Sequence, residues 1–304
     1  MNKDKITFWI LYPIIFLISK LPLWILYGVS NIIYYFIYYI FGYRKKVIKK
    51  NLKLCFPNKS DKERLQIEKK SYRHFVDIFI EMLKGFSIPQ KELDRRYKYV
   101  NPEIFKEIES LDKSVILLGA HQGNWEWLFN INNHTNLKCF GAYTEVENPY
   151  FDKYVKENRG RFGSHFIPTY QTIPTIISNH KKGIKSMYGL LSDQSPRPSK
   201  THYWAPIFGN LVPIHTGAEM LASRFDFAVI YMHVEMPKRG HYEITFELIS
   251  KAPERTDKYP LTDLYWKKLE RDITANPEIY FWTHNRFKHM KKDGSTEKIY
   301  VKKK

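Results

Sequence analysis

Between Ile6 and Tyr43 the chain carries one charge, Lys20, and two prolines, Pro13 and Pro22, that divide the apolar run. A helix on the surface of a soluble domain needs a polar face, and a stretch that is apolar all round is built for lipid or for a deep core. Leu23 to Tyr43 alone has about the ~20 residues that cross a bilayer, whereas Ile6 to Ile18 is short for a span and suits the interface. No small-residue cleavage site follows the run, which argues against a removed signal peptide. Arg44, Lys45, Lys46, Lys49, Lys50 and Lys53 come directly after it. Positive charge flanking an apolar segment marks the cytoplasmic side and attracts anionic headgroups. The expected organisation is a membrane anchor over residues 1–43 and a cytoplasmic domain over 44–304. The sequence leaves open whether the anchor spans once, forms a hairpin or lies in the interface.

Charge narrows the partners. Lys and Arg number 49 against 31 Asp and Glu, a formal charge of +18, with 16% aromatic residues. Such a balance suits nucleic acid or an anionic membrane surface. The chain has no zinc knuckle, no Gly-rich phosphate loop and no internal repeat, so the apolar N-terminus decides for the membrane, with no nucleic-acid partner. Cys55 and Cys139 stand alone without metal spacing, and nothing in them demands an oxidising compartment.

The chemistry concentrates in Ser114-Val-Ile-Leu-Leu-Gly-Ala-His121-Gln-Gly-Asn-Trp-Glu126-Trp127. Val115 to Leu118 reads as a buried strand, Gly119 to Gly123 as a tight turn, and Asn124 as the N-cap of a helix running to about His134. His121 is thereby set at the mouth of a strand beside a helix start, where α/β folds place their reactive groups. Glu126, one turn on, can fold back to the imidazole, fix its tautomer and support the positive charge a general base acquires. The helix N-terminus opposes that charge.

Other elements follow from pattern. Ser60-Asp-Lys-Glu63 is a capping box opening a helix to about Lys84, with Gly85 as its stop. Tyr72, Phe75, Val76, Phe79, Ile80 and Leu83 form one apolar stripe for packing on a sheet, with His74 off it. Residues 137–143 and 186–192 read as strands, 149–158 and 172–180 as helices, and Thr216 to Arg224 as a small-residue helix. Residues 227–235 and 242–248 read as an antiparallel hairpin, across which His233 and His241 can meet, with too few further ligands for a metal. Asp193, at the end of another strand, is a turn cap or an active-site acid.

The string His121-Gln-Gly-Asn-Trp-Glu126 resembles the H-x4-(D/E) block of the lysophospholipid acyltransferase superfamily and, more narrowly, that of the bacterial lipid A late-acyltransferase family. Asn51-Leu-Lys-Leu-Cys-Phe56-Pro57, Arg159-Gly-Arg161, Asp193-Gln194, Trp204 to Gly209, and Pro277-Glu278 with Phe281-Trp282-Thr-His284-Asn-Arg286-Phe287-Lys288 resemble further family blocks, in family order. The loop after Asp193 departs from the pattern, with Arg197-Pro-Ser-Lys where the family usually has a glycine.

The resemblance implies an α/β fold with a glycerolipid-acyltransferase-like mixed central sheet flanked by helices, behind the N-terminal anchor. It implies transfer of a fatty acyl group from acyl carrier protein to a hydroxyl of a lipid A precursor, at the cytoplasmic face of the inner membrane. In that frame His121 is the base and Glu126 its partner, and Arg159 pairs with Asp193 in the active site. Arg159 serves either a headgroup phosphate or the charge developing on the thioester oxygen. Asn124, Arg161, Gln194, His284, Arg286 and Lys288 are the expected substrate contacts. No serine or cysteine nucleophile adjoins the His/Glu block, so direct attack is expected, and no metal or redox cofactor is implied. The same motifs admit another envelope lipid as acceptor (a lysophospholipid, an aminolipid or a glycosylated phosphoinositide), water in a hydrolase, or lipid binding without catalysis.

Overall fold

The computed structural model describes residues 2–301. Short apolar strands alternating with helices make a largely parallel sheet, because each parallel connection needs a crossover long enough to hold a helix. The strands are β1 (Tyr97–Tyr99), β2 (Val115–Gly119), β3 (Lys138–Tyr143), β4 (His165–Pro168), β5 (Ser186–Leu191), β6 (Tyr203–Ile207), β7 (Asn210–Ile214), β8 (Ala228–Lys238), β9 (His241–Ser250) and β10 (Ile299–Tyr300). Seven of them form the central sheet in the order β1-β9-β8-β2-β5-β3-β4, and β10-β6-β7 form a small second sheet. In the central sheet only β8 and β9 are antiparallel, the expected hairpin, which makes the sheet mixed. His233 does not meet His241 there: its cross-strand neighbour is Thr245.

The helices are α1 (Lys3–Lys20), α2 (Leu23–Tyr35), α3 (Lys45–Cys55), α4 (Asp61–Gly85), α5 (Gln90–Arg96), α6 (Ile104–Ser110), α7 (Pro149–Gly160), α8 (Thr172–Lys181), α9 (Gly217–Phe225) and α10 (Pro260–Ala275). They cover both sheet faces. Alternation along β2 sends Ile116 and Leu118 into the core shared with α8, α9 and α10, and Val115 and Leu117 into the core shared with α2, α4 and Trp127.

Two further expectations need correcting. The segment after Asn124 is a 3-10 helix, Trp125–Asn133, and not an α-helix. Its second half is Asn-rich. Asn130 and Asn132 bond outside the helix, to Tyr99 and to the Cys139 N–H, and such competition weakens α-helix formation. Helix α4 has the expected capping box, but its burial is not one stripe. It is sandwiched between the sheet and α2, so Glu68, Asp77 and Glu81 are buried while Phe79 is 47% exposed. His74 is also enclosed, and burial pushes its pKa down to about 4.

The apolar N-terminus packs along this same helix. Helix α2 runs on through a π-helical segment, Phe36–Phe41. Tyr27 Oη donates to Glu81 at 2.7 Å, Ser30 Oγ to Asp77 at 2.5 Å and Tyr38 Oη to Glu68 at 3.1 Å. Lys84 Nζ caps the end of α1, donating to the carbonyls of Ser19 at 2.9 Å and Leu21 at 3.0 Å. The start of α1 rests on α7, with Asn148 donating to the Asp4 carbonyl at 2.9 Å and the rings of Phe8 and Phe151 5.0 Å apart. By length and composition Leu23–Phe41, of mean hydropathy 1.4, is the one helix among the described residues that can cross a membrane.

Candidate active site

The chain visits β2, β3 and β4 and then returns to place β5 between β2 and β3. The carboxyl ends of β2 and β5 therefore lie side by side, at the point where strand order reverses. Gly119 pairs with Leu191 in the parallel register. Two residues beyond that pair on each strand stand His121 and Asp193. His121 Nδ1 lies 2.7 Å from Asp193 Oδ1, and the same oxygen accepts the His121 main-chain N–H at 3.2 Å. Burial acts to lower the ring's pKa, but the charge and hydrogen bond of Asp193, with the charge of Glu126, outweigh it and hold His121 above its ordinary value. Burial acts to raise Asp193, and the His121 charge and N–H donors more than offset it, keeping the carboxyl below the usual range.

The expected pairings are exchanged. Asp193, not Glu126, orients the imidazole. Glu126 instead forms an ion pair with Arg159 of α7, Nη2 to Oε2 at 2.6 Å. The parallel register brings Asp193 beside the ring, while Glu126 stands on the 3-10 helix that faces the end of α7. With Nδ1–H given to Asp193, Nε2 is left as an acceptor, and the Gln194 side-chain nitrogen lies 3.3 Å from it. The rings of Trp125 and Phe281 wall the imidazole at centroid distances of 5.1 and 6.0 Å.

The turn that carries His121 is held from three sides. Gly123 has φ +58°, and a Cβ there would stand 2.5 Å from Val234 Cγ1 and 3.2 Å from Tyr242 Cδ1, so only glycine fits. Asn124 is buried, and its Oδ1 accepts from the N–H groups of Glu126 and Trp127, each at 3.1 Å. Its Nδ2 donates to Glu81 at 2.7 Å. Glu81 is 0% exposed and also accepts from Tyr27 and, at 2.8 Å, from Tyr242. Burial pushes its pKa up to about 7 against the three donors. From the C-terminal side, the Phe281 N–H donates to the His121 carbonyl at 3.0 Å and the Gly123 N–H to the Ile279 carbonyl at 2.9 Å.

Several residues expected at the substrate are engaged by the protein itself. Asn124 is the cap just described. Arg161 donates to the carbonyls of Gly85, at 2.9 Å, and Ile88, closing the end of α4. Arg286 is buried, donates to the Pro213 carbonyl at 3.1 Å and lies 4.7 Å over the Trp266 ring. His284 Nε2 accepts the Ser195 N–H at 3.0 Å, fixing the loop after Asp193. Burial takes its pKa down to about 4, so the ring is neutral, as an acceptor must be. Asn51 donates to the carbonyls of Trp282 at 2.9 Å and His284 at 2.8 Å, which gives the Asn-Leu-x-x-x-Phe-Pro segment its task. Lys288 is exposed. Sequence reasoning missed Glu81 and the task of Asn51; a carboxylate among the apolar positions of α4 was the available clue to the first.

His121, Glu126, Arg159 and Gln194 open onto a cavity of about 720 Å3, within the ~300–1,000 Å3 of small-molecule sites. Below its polar mouth the cavity is apolar. It is lined from both faces of the sheet, by Leu117 and Met187 on one side and Phe140 and Leu190 on the other. An imidazole nitrogen facing a mainly apolar cavity with a cation at its mouth suits an amphiphile whose hydroxyl lies near an anionic group.

Comparison with known proteins agrees. The chain is 27% identical to the lipid A biosynthesis lauroyltransferase of Escherichia coli K12 over 252 residues, 81% of this chain and 79% of that protein. It is 23% identical to the palmitoleoyltransferase of the same strain over 257 residues, with the same coverage of 81% and 79%. It is 22% identical to a lipid A biosynthesis acyltransferase of Haemophilus influenzae over 240 residues, 76% of this chain and 72% of that protein. The sequence profile of bacterial lipid A biosynthesis acyltransferases matches residues 2–289, and the chain, an acyltransferase, belongs to that family.

Proposed function

We propose that the protein moves a fatty acyl group from the thioester of acyl carrier protein to a hydroxyl of a lipid A precursor, at the cytoplasmic face of the inner membrane. The observation that carries this reading is the His121–Asp193 pair, with Nδ1 engaged by the carboxylate and Nε2 facing an apolar cavity. The acceptor hydroxyl takes the place of the Gln194 amide at Nε2. His121 removes its proton as the oxygen attacks the thioester carbonyl, and Asp193 stabilises the imidazolium that forms. When the tetrahedral intermediate collapses, the C–S bond breaks and the thiolate takes the proton back from Nε2. Arg159, held at the mouth by Glu126, presents its remaining N–H groups to the acceptor's phosphate. The surplus of positive charge on the chain favours both an acidic carrier protein and an anionic membrane.

The test is mass spectrometry of total envelope lipids from cells with the protein, without it, and with His121→Ala. General-base catalysis contributes roughly 10²–10⁴-fold, so the substitution reproduces the deletion, with one lipid A species lighter by a single acyl group. Loss of an acyl group from another lipid instead refutes the acceptor, release of free fatty acid without acylated lipid refutes transfer, and an unaffected His121→Ala refutes the base.

A further inference from the structure

The anchor has one face built for protein and one for lipid, and their placement bears on how it meets the membrane. The inward face is polar where it meets α4. Tyr27, Ser30 and Tyr38 each donate a hydroxyl to a buried carboxylate, Glu81, Asp77 and Glu68 in turn. Asp77 is bonded further by Arg239, Nε at 2.7 Å and Nη2 at 2.6 Å, from the β8–β9 hairpin. The outward face is apolar: Trp24 is 75% exposed, Phe41 74% and Leu17 67%, with Trp9, Ile32 and Ile40 also bare. Lys46, Lys49, Lys50 and Lys53 are exposed just beyond the end of that face.

To cross a bilayer, α2 must either leave α4 or take it along. Leaving would uncover three buried carboxylates and carry three hydroxyl groups, stripped of their partners, into hydrocarbon, where every unpaired polar group is costly. Taking α4 along is ruled out by its own exposed Lys62, Lys70 and Arg73 and by its packing under the His121 turn. Helix α1 is held likewise, on α7 at one end and by Lys84 at the other.

We propose that residues 3–43 do not cross the membrane: both helices lie in its plane, their bare faces sunk into the one leaflet whose anionic headgroups meet the lysines that follow. Helices of this kind enter a leaflet to a depth of about 5–10 Å. The inference rests on the anchoring part of the proposed function and adds its geometry. It also sets the catalytic cavity beside the leaflet that holds a lipid acceptor.

The test is cysteine accessibility in the full-length protein. The native Cys55 and Cys139 are both buried, which leaves an introduced thiol as the reporter. Lys3→Cys and Lys20→Cys, at the two ends of α1, are expressed in cells, and a membrane-impermeant maleimide is added to intact or permeabilised spheroplasts. Both positions are expected to label only after permeabilisation, with the protein in the membrane fraction. A single span puts Lys3 outside and a helical hairpin puts Lys20 outside, so outside labelling of either overturns the in-plane arrangement and leaves acyl transfer untouched. Recovery in the soluble fraction overturns the anchor itself.

Discussion

Replacing Asp193 with asparagine tests the central pairing, because Asn keeps the shape and an acceptor oxygen and removes only the charge. Asp193 Oδ1 lies 2.7 Å from His121 Nδ1. Two unit charges about 4 Å apart attract by roughly 4 kcal/mol at an effective dielectric of ~20. A neutral hydrogen bond retained by Asn returns about 1 kcal/mol. The imidazolium of the transition state therefore loses about 3 kcal/mol, and at ~1.36 kcal/mol per decade turnover falls about a hundredfold. The pH profile moves as well. In the proposed mechanism His121 must be neutral to take the proton, so activity is expected to rise with pH through the ring's pKa, which Asp193 holds above its ordinary value. Without the charge the pKa falls, so the acid limb shifts to lower pH while the plateau drops. The assay is kcat/KM against pH, with acyl carrier protein thioester and lipid A precursor, read by mass spectrometry. An acid limb that stays in place in Asp193→Asn, or one that moves further in Glu126→Gln than in Asp193→Asn, would refute the assignment.

Glu126→Gln frees Arg159 from its ion pair and should raise KM for the phosphorylated acceptor more than it lowers kcat, as steady-state kinetics with varied acceptor will show. Gly123→Ala combines a left-handed residue, ~1–2 kcal/mol, with overpacking against Val234 and Tyr242, ~1–3 kcal/mol. The expected loss is roughly 2–5 kcal/mol in thermal unfolding, and adding Val234→Ala should recover only the packing part. Glu81 has a folded pKa of about 7, above its ordinary 4.5; the folded state holds that proton more tightly, so this contribution to stability is present below pH 4.5 and lost as pH rises through 7. Glu81→Gln should flatten that fall in a Tm-against-pH series and lower Tm below pH 4.5, because one of the three donors loses its acceptor, a cost of about 1–3 kcal/mol, with the two proteins drawing together above pH 7.

How far the sequence carries is visible at single residues. Val115 to Leu118 stops abruptly at a polar turn, so the strand and the placing of His121 at its end were legible. The identity of its partner was not. Glu126 is near in sequence, but a turn separates it from His121, and from the first turn of the 3-10 helix its carboxylate goes to Arg159. Asp193 lies 72 residues away and arrives through the pairing of Gly119 with Leu191, a register that no local pattern encodes. Arg286 and His284, basic residue types with aromatic neighbours in the sequence, look like a ligand-binding surface, yet their contacts are to the carbonyl of Pro213 and the N–H of Ser195. Side-chain type alone cannot distinguish a strut from a binding group, because each uses the same donors.

The three-donor cluster at Glu81 has a practical consequence. Tyr27 belongs to the apolar helix, and Asn124 to the turn that carries His121, yet both bond one carboxylate. A simple tether can be cut or exchanged without touching the catalyst; this one cannot. A shortened chain starting after Tyr43, or a chimera fused to a foreign anchor, would leave Glu81 without one of its donors and expose its side of α4. Such proteins would report the behaviour of a loosened His121 turn, and weak activity in them would measure the surgery and not the enzyme.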